Sequence, residues 1–306
     1  MPPFPIRATS IVEGTPPPSC SIEGLLRWRI DARADLQSAR TAAVAAPGAG
    51  AASGPVVSGP VAAGPVDVSR LPGTARILLI PEATRVSARI RNRYYDRLPD
   101  IAVIGPSSRP VALRIDGVAP VEIPLSALDW SCLTRVAAAL IADRIVPVQE
   151  LGITCLDRLV ETNPDDIAAA AIARLADATG AHGMPPGDDA NASLILRLMT
   201  LIDAGLINDA ATAADALATT PHNLRRIALR WFGFPPKTLL MRRRFIAALE
   251  RFQDTGMDIA AIADFGYFDA SHFLRDANRF LGTTPRRYLR RIAGSADGRT
   301  TLPAAR

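Results

Sequence analysis

Apolar and polar positions alternate differently in two regions of the chain. Between residues 76 and 124, short apolar runs and a period of two predict several strands, and Asp116-Gly117 is a hairpin signal. Beyond Pro124 the apolar spacing becomes helical, which predicts helices over residues 125–145, 149–161, 167–178 and 191–204. We therefore expect an α+β protein, with a small N-terminal β-barrel or sandwich plus helices followed by an all-α C-terminal part.

The most regular pattern predicts a helix-turn-helix unit near the C-terminus. Asp258 is placed to cap a short helix that buries Ile259 and Ile262, and Gly266 supplies the tight turn. Asp269 is placed to cap the next helix, which has an apolar face opposite a polar one. The apolar face comprises Ala270, Phe273, Leu274, Ala277, Phe280 and Leu281, and the polar face comprises Ser271, Arg275 and Arg279, flanked by His272 and Asn278.

A similar unit precedes it, so the all-α part is predicted to be a double helix-turn-helix. Residues 210–218 are a predicted scaffold helix, and Pro221 is placed at the first position of a helix that ends at Gly233. The inward positions of this second helix are Leu224, Ile227, Ala228 and Trp231, and the outward ones are His222, Arg226 and Arg230, with Asn223 and Arg225 at the margins.

Residues 235–253 join the two units and include the run Arg242-Arg243-Arg244. As a helix, this segment spans about 28 Å. Recognition helices that enter successive major grooves on one face of DNA are about 34 Å apart. The linker therefore has about the length that lets both units read the same side of one duplex.

These residues resemble the AraC family of bacterial transcription regulators over about the C-terminal third of the chain. The resemblance rests on Ser271-His272-Phe273, Arg275, Arg279-Phe280, Gly282, Pro285 and Tyr288, and upstream on Leu224, Arg226, Gly233 and Pro236-Lys237. It implies that the base-reading positions are His222, Arg225 and Arg226 in the first unit and Ala270, Ser271 and Arg275 in the second. Ala228 and Ala277 stand where larger apolar residues are usual, which implies looser packing, and Ala270 cannot hydrogen-bond a base edge.

The outward side chains suit DNA because arginine bonds guanine bidentately and Ser, His or Asn can reach bases or phosphates. We predict base reading by His222, Arg225, Arg226, Ser271, His272 and Arg275, and phosphate contacts by Arg230, Arg242, Arg243 and Arg279. Alternatively, His272 could pack locally, and Arg226 and Arg275 could be held in surface ion pairs. Asp264 and Asp276 would repel DNA, so structural roles are expected for both.

The distribution of charge favours a DNA-binding C-terminal end. Residues 221–306 carry 16 Arg or Lys against 7 Asp or Glu, whereas the rest of the chain has a net charge of −4. Binding to DNA phosphates requires such an excess of basic residues. The alternative is that these charges only solvate the surface of the helices.

No other chemistry is indicated. Cys20, Cys132 and Cys155 have neither disulfide-framework nor zinc-site spacing, and no catalytic constellation, metal site or cofactor motif is recognised. The first residues contain no apolar signal-peptide core, so a cytoplasmic location is expected.

Four segments are expected along the chain: a poorly ordered segment with an Ala/Gly/Pro linker (1–70), a sensing or dimerisation domain (71–204), the DNA-binding domain (205–293) and a tail (294–306). The β-then-α order of the second segment resembles the sensing domain of some AraC-type regulators, which binds a small effector, dimerises or does both. Its Trp130, Tyr94, Tyr95 and Arg114 could line a pocket, or the aromatic side chains could be core.

We therefore expect a sequence-specific DNA-binding transcription regulator and not an enzyme. Its expected partner is double-stranded DNA, with a small effector, a second copy of the chain and RNA polymerase as further candidates, and with no cofactor and no membrane. The alternative is a small-molecule-binding protein or enzyme in which the C-terminal helices are only a scaffold. Steep salt dependence of binding to duplex DNA distinguishes the two.

Overall fold

The computed structural model describes residues 65–156, 167, 170–175, 177, 178, 189–205, 207, 209–267 and 269–293. The predicted N-terminal segment up to residue 64, the predicted tail and the part of the predicted helix 149–161 beyond Leu156 lie outside the described residues.

The β region forms two four-stranded antiparallel sheets. The first sheet has the strand order β1-β6-β3-β4, and the second has the order β7-β2-β5-β8. The strands are β1 (Val66–Arg70), β2 (Arg76–Leu79), β3 (Arg85–Ile90), β4 (Arg93–Tyr95), β5 (Ile101–Ile104), β6 (Val111–Asp116), β7 (Val121–Pro124) and β8 (Ile145–Pro147).

Alternation along the strands builds the core between the two sheets. Val86 and Ile90 of β3 and Val111 and Leu113 of β6 are buried, and each strand exposes residues between its buried ones. These side chains share one apolar cluster with Ile104 of β5, so the two sheets pack face to face. The predicted α+β class with a small N-terminal sandwich is confirmed.

The β region begins earlier than residue 76, which the strand pattern predicts as its start. Strand β1 lies at Val66–Arg70, inside the segment expected to be a linker, and pairs with β6. It is an edge strand whose residues are half-buried or exposed, and its apolar–polar alternation is confined to Val66–Ser69, directly after the Ala/Gly/Pro/Val-rich stretch.

The hairpin predicted at Asp116-Gly117 is wrong. Strand β6 pairs with β1 and β3, whereas β7 pairs with β2 in the other sheet. Thr84 holds this corner, because its Oγ1 accepts from the Val118 N–H at 2.9 Å and donates to the Val118 carbonyl at 3.1 Å. The chain therefore crosses between sheets at this point.

The helix predicted over residues 125–145 is much shorter in the structure. Helix α1 covers only Ala127–Leu133. After it, the indole N–H of Trp130 donates to the Val136 carbonyl at 2.8 Å, and Ile145–Pro147 then pairs with β5 as β8. Pairing with the sheet overrides the helical spacing of this segment.

Helix α2 covers Asp189–Ala204, close to its predicted bounds. Its Leu194, Ile195 and Leu198 are buried, as core packing requires. By contrast, the described part of the predicted helix 149–161 is only a 3₁₀ helix over Val148–Leu151.

The C-terminal helices confirm the predicted double helix-turn-helix. They are α3 (Ala210–Ala216), α4 (Pro221–Ile227), a π-helical segment (Ala228–Phe232), α5 (Pro236–Asp254), a 3₁₀ helix (Ala260–Phe265), α6 (Ala270–Phe280) and α7 (Pro285–Ala293). Within the described ranges, no helix is long and apolar enough to cross a bilayer, and no cluster of His, Cys, Asp or Glu is placed to hold a metal ion.

Candidate nucleic-acid interface

The recognition helix of the first unit, α4, begins at Pro221 as predicted and is capped by a threonine. Thr220 Oγ1 accepts from the Asn223 N–H at 3.2 Å, and Pro221 occupies the first turn, where no N–H donor is needed. The predicted inward residues are all buried: Leu224, Ile227, Ala228 and Trp231. Packing therefore fixes which face of α4 points outward.

The three predicted base-reading residues of this unit, His222, Arg225 and Arg226, are exposed. Asn223 orients Arg226, because its Oδ1 accepts from Arg226 Nη2 at 2.9 Å and from Nε at 3.3 Å. Asn223 is itself held, since its Nδ2 donates to Thr219 Oγ1 at 2.9 Å. A neutral amide positions the guanidinium without cancelling its charge, so Arg226 remains suited to an anionic ligand.

The second half of the predicted recognition helix departs from α-helical geometry. Ala228–Phe232 is π-helical and ends at Gly233, whose φ is +83°. Arg230 in this segment is half-buried, with Cζ 4.5 Å from the centroid of the Trp231 ring. Its phosphate contact remains a prediction, and the side chain would have to reach DNA from beside this ring.

The arginine run of α5 is not a phosphate-binding surface in this structure. Arg242 is buried and donates from Nη1 to the carbonyls of Gly73 at 3.1 Å and Ser107 at 3.0 Å. Arg243 is half-buried and donates to the Asp203 carbonyl at 3.2 Å. The predicted phosphate contact of Arg242 is therefore wrong, and that of Arg243 has no support from its position.

The second unit begins with a 3₁₀ helix in place of a full α-helix. Asp258 Oδ1 accepts from the Ala260 N–H at 2.9 Å, but the N-cap position of this helix is Ile259, which makes no side-chain cap, so the cap predicted at Asp258 lies one residue too early. Ile262 is buried as predicted, but Ile259 is 42% exposed. The predicted burial of Ile259 is wrong because this residue precedes the helix and does not share its buried side.

Helix α6 has the predicted turn and cap. Gly266 adopts a φ of +72°, which glycine tolerates better than other residues, and Asp269 Oδ1 accepts from the His272 N–H at 2.7 Å. The buried residues of α6 are Phe273, Asp276, Ala277 and Phe280. The exposed ones are Ala270, Ser271, Leu274, Arg275, Asn278 and Arg279.

The buried side of α6 is thus rotated from its predicted position, because Asp276 is inside while Ala270 and Leu274 are exposed. Asp276 Oδ2 accepts from the Tyr267 hydroxyl at 2.9 Å and from Arg244 Nη2 at 3.1 Å. Burial raises the pKa of the Tyr267 hydroxyl, and the Asp276 carboxylate raises it further. The structural role expected of Asp276 is confirmed, and its partner comes from α5.

His272 belongs to the same cluster. Its ring lies 4.9 Å from the Tyr267 ring, and its Nε2 is 3.4 Å from Arg244 Nη2. Since the side chain is half-buried among these groups, local packing accounts for His272 better than the predicted base contact.

Arg275 has the opposite environment. It is exposed and, among the described residues, has no hydrogen-bond, ion-pair or ring partner. The surface ion pair considered for it is absent from the described contacts, because Asp276 points inward to Arg244. Ser271 and Arg279 are exposed on the same helix, with Arg279 Nη1 3.9 Å from the sulfur of Met241.

The sequence reasoning missed a basic surface on α7. Four of its arginines are exposed, whereas Tyr288 and Leu289 are buried. The exposed set is Arg286, Arg287, Arg290 and Arg291. None of them is in an ion pair with a carboxylate of the described residues. The signal in the sequence is the run Arg-Arg-Tyr-Leu-Arg-Arg at residues 286–291, in which two pairs of arginines flank two residues that become buried.

The four side chains predicted to line a sensing pocket are not brought together at one site. Trp130 is 1% exposed and belongs to the core, as the alternative prediction held, while Tyr94 and Arg114 lie on an open groove of the first sheet. The Tyr95 hydroxyl accepts from the Ile145 N–H at 3.0 Å. A small cavity of about 20 Å³ next to Trp130 and Trp231 has room for about one water molecule.

Residues 213–291 match the family model described as a helix-turn-helix domain. They form an AraC-type domain, which is a DNA-binding domain of transcription regulators, and the predicted family resemblance is confirmed over these residues.

Crystal structures of ToxT from Vibrio cholerae are similar to the chain at low identity. The 1.65 Å structure shares 12% identity at a TM-score of 0.44, and the match covers 76% of this chain and 99% of that chain. Wild-type ToxT of strain SCE256 with bound unsaturated fatty acid shares 11% at 0.41, covering 78% and 97%. No curated protein sequence matches this chain.

Proposed function

We propose that this protein, whose residues 213–291 are an AraC-type helix-turn-helix domain, is a sequence-specific transcription regulator that reads DNA with α4 and α6. The observation that carries the proposal is that each helix buries one face and exposes arginines on the other: Arg225 and Arg226 on α4, Arg275 on α6. The 19-residue helix α5 joins the two units and spans about 28 Å. Both units could therefore enter successive major grooves of one duplex.

The exposed side chains divide into two groups in this proposal. His222, Arg225, Arg226, Ser271 and Arg275 read base edges, because they stand on the outward faces of the two recognition helices. Phosphate contacts come from Arg279, from Arg230 if it leaves the Trp231 ring, and from the exposed arginines of α7. These latter contacts set affinity and register and carry no sequence information directly.

A binding-site selection tests the proposal. Full-length protein is incubated with a pool of random-sequence duplexes, and bound DNA is recovered over several rounds and sequenced. We expect one motif with two conserved segments about one helical turn apart. Recovery of no enriched motif would contradict sequence-specific binding.

Salt dependence provides an independent test with the selected duplex. Fluorescence anisotropy at increasing salt should show a slope of about −0.9 for each phosphate contact when log K is plotted against log salt. A flat plot would favour the alternative, in which the C-terminal helices only support a small-molecule or catalytic function.

Regulation by a small effector, self-association and contact with RNA polymerase are further parts of the proposal. The cavity of about 20 Å³ beside Trp130 and Trp231 is too small for a metabolite, so an effector binding there would have to separate the surrounding side chains. A thermal-shift screen with metabolites tests for an effector, and sedimentation at several concentrations tests for a dimer. A pull-down of RNA polymerase by the protein bound to the selected duplex tests for contact with the polymerase.

A further inference from the structure

The sandwich contacts both helix-turn-helix units and the helix that joins them. At the first unit, Gly233 lies so close to Pro106 that a Cβ on Gly233 would be 2.9 Å from the Pro106 ring. At the second unit, Arg109 donates to the Asn278 carbonyl near the end of α6. Leu71 of the sandwich is part of the apolar cluster that forms the core of the second unit.

Arg242 forms the central contact, from the middle of α5. Its side chain is 8% exposed, and its Nη1 donates to carbonyls of two separate loops of the sandwich, at Gly73 and Ser107. These loops also bind each other, since the Gly73 N–H donates to Ser107 Oγ at 3.1 Å and the Ser107 N–H donates to the Gly73 carbonyl at 3.0 Å. One guanidinium therefore ties α5 to a joined pair of loops.

A buried arginine without a paired carboxylate is costly to keep. No carboxylate of the described residues forms an ion pair with Arg242, and burial lowers the pKa of its guanidinium to about 10, partly offset by Asp143. It is still charged at neutral pH, so two backbone carbonyls and the Phe234 ring, 5.7 Å away, compensate the lost hydration. If the residue at position 242 only had to fill space between α5 and the sandwich, leucine or methionine would do so without burying a charge. The buried guanidinium of Arg242 therefore needs a separate explanation.

The base-reading side chains lie outside these contacts. Arg226 and Arg275 remain exposed while Gly233, Arg242 and Asn278, which belong to the same helical part, contact the sandwich. The sandwich therefore leaves the reading faces accessible while it holds the two units and α5 in one arrangement.

We infer that Arg242 is a positioning residue, which fixes the relative orientation of the two recognition helices by tying α5 to the sandwich. This inference rests on the proposed DNA-binding function. Holding both helices in place before DNA binds removes an ordering cost, and this benefit exists only when both helices bind at once.

Two probes separate positioning from general affinity. The first is the duplex recovered by selection with wild-type protein, and the second is the same duplex with one conserved segment replaced by unrelated sequence. We expect Arg242→Met to weaken binding to the first probe by about 10-fold or more and to the second by less than about 2-fold. Arg242→Lys retains a charged donor and should recover part of the loss.

Two further variants control for folding. Val86→Ala lowers stability in the core of the sandwich without touching the Arg242 contacts, and should leave the ratio of the two affinities unchanged. Arg109→Ala removes a contact at the exposed rim of the second unit and should shift the same ratio by a smaller factor. If Arg242→Met does not fold, the ratio of the two affinities is measured for Arg109→Ala. A shift in that ratio then decides whether contacts between the sandwich and the second unit position the recognition helices.

Equal losses on both probes, or no loss, would overturn the positioning role of Arg242. Failure of the wild-type protein to bind the selected duplex would instead refute the proposed function. The positioning role of Arg242 would then be refuted as well, because it rests on that function. A larger loss on the two-segment probe, with partial rescue by Arg242→Lys, supports the inference.

Discussion

The first and second helix-turn-helix units present similar outer faces but are stabilised differently. The inner face of the first recognition helix is apolar, and the π-helical segment that follows it carries Trp231 to the sandwich beside Trp130. The inner face of the second recognition helix includes a buried carboxylate, Asp276, paired with Arg244 of α5. The first unit thus packs an apolar face against the N-terminal part, whereas the second unit places a charged pair beside the apolar core that it shares with Leu71 of the sandwich.

Aromatic side chains complete the core of the second unit. The rings of Phe245 and Phe280 lie 5.5 Å apart and those of Phe245 and Phe273 lie 5.6 Å apart, so α5 and α6 share one aromatic cluster. Ala277 is fully buried within it. The comparison shows that equivalent reading faces do not require equivalent interiors.

The largest effect is expected at the buried pair of the second unit. Asp276→Ala leaves Arg244 without its carboxylate in a buried site and should lower the free energy of unfolding by about 3–5 kcal/mol. The free energy of unfolding is measured by urea denaturation, monitored by circular dichroism. Asp264→Ala is the matched control, because Asp264 is exposed in the same unit and the structural role expected of it has no support among the described contacts. A loss below about 1 kcal/mol for Asp276→Ala would mean that the pair is not needed for stability.

Arg275 and Arg226 should matter comparably for DNA affinity despite their different surroundings. Alanine at either position should weaken specific binding by about 1–3 kcal/mol, because each is expected to bond a base edge. Anisotropy titration of the selected duplex measures it, with Arg89→Ala, an exposed arginine on β3, as the charge-matched control. Unchanged affinity for one arginine variant would remove that residue from the base-reading set.

The caps of the two recognition helices should contribute equally. Thr220→Ala and Asp269→Ala each remove an acceptor for a first-turn N–H and should each lower the free energy of unfolding by about 1 kcal/mol. Thermal and urea unfolding of the two variants provide the comparison. A much larger loss at one cap would show that the two helices start from different local structures.

The smallest effect is expected at Asn223, which has no counterpart beside Arg275. Asn223→Ala removes the acceptor that holds Arg226 and should weaken DNA binding by about 0.5–1 kcal/mol. The loss should disappear when Arg226 is already alanine, which a double-mutant cycle on the selected duplex measures. Additive losses would indicate that Asn223 contacts DNA by itself.

Features that depend on neighbouring residues could be predicted from the sequence. The cap at Asp269 and the turn at Gly266 involve residues no more than three positions apart, and the buried face of α4 follows from helical spacing. The exposure of Arg226 and Arg275 follows from the same spacing.

Features that depend on distant partners could not be predicted. Arg242 is buried by carbonyls 169 and 135 positions away, and Asp276 by Arg244, 32 positions away. No pattern along one helix distinguishes these side chains from solvated ones. The same limit explains β8, whose helical spacing is overridden by pairing with β5.

The central claim is that α4 and α6 bind successive major grooves on one side of a single duplex. Inserting five base pairs between the two conserved segments of the selected duplex turns one segment to the opposite side of the helix, because B-form DNA repeats about every 10.5 base pairs. We expect the affinity to fall to that of the probe with only one intact segment. Unchanged affinity for the duplex with the insertion would contradict it.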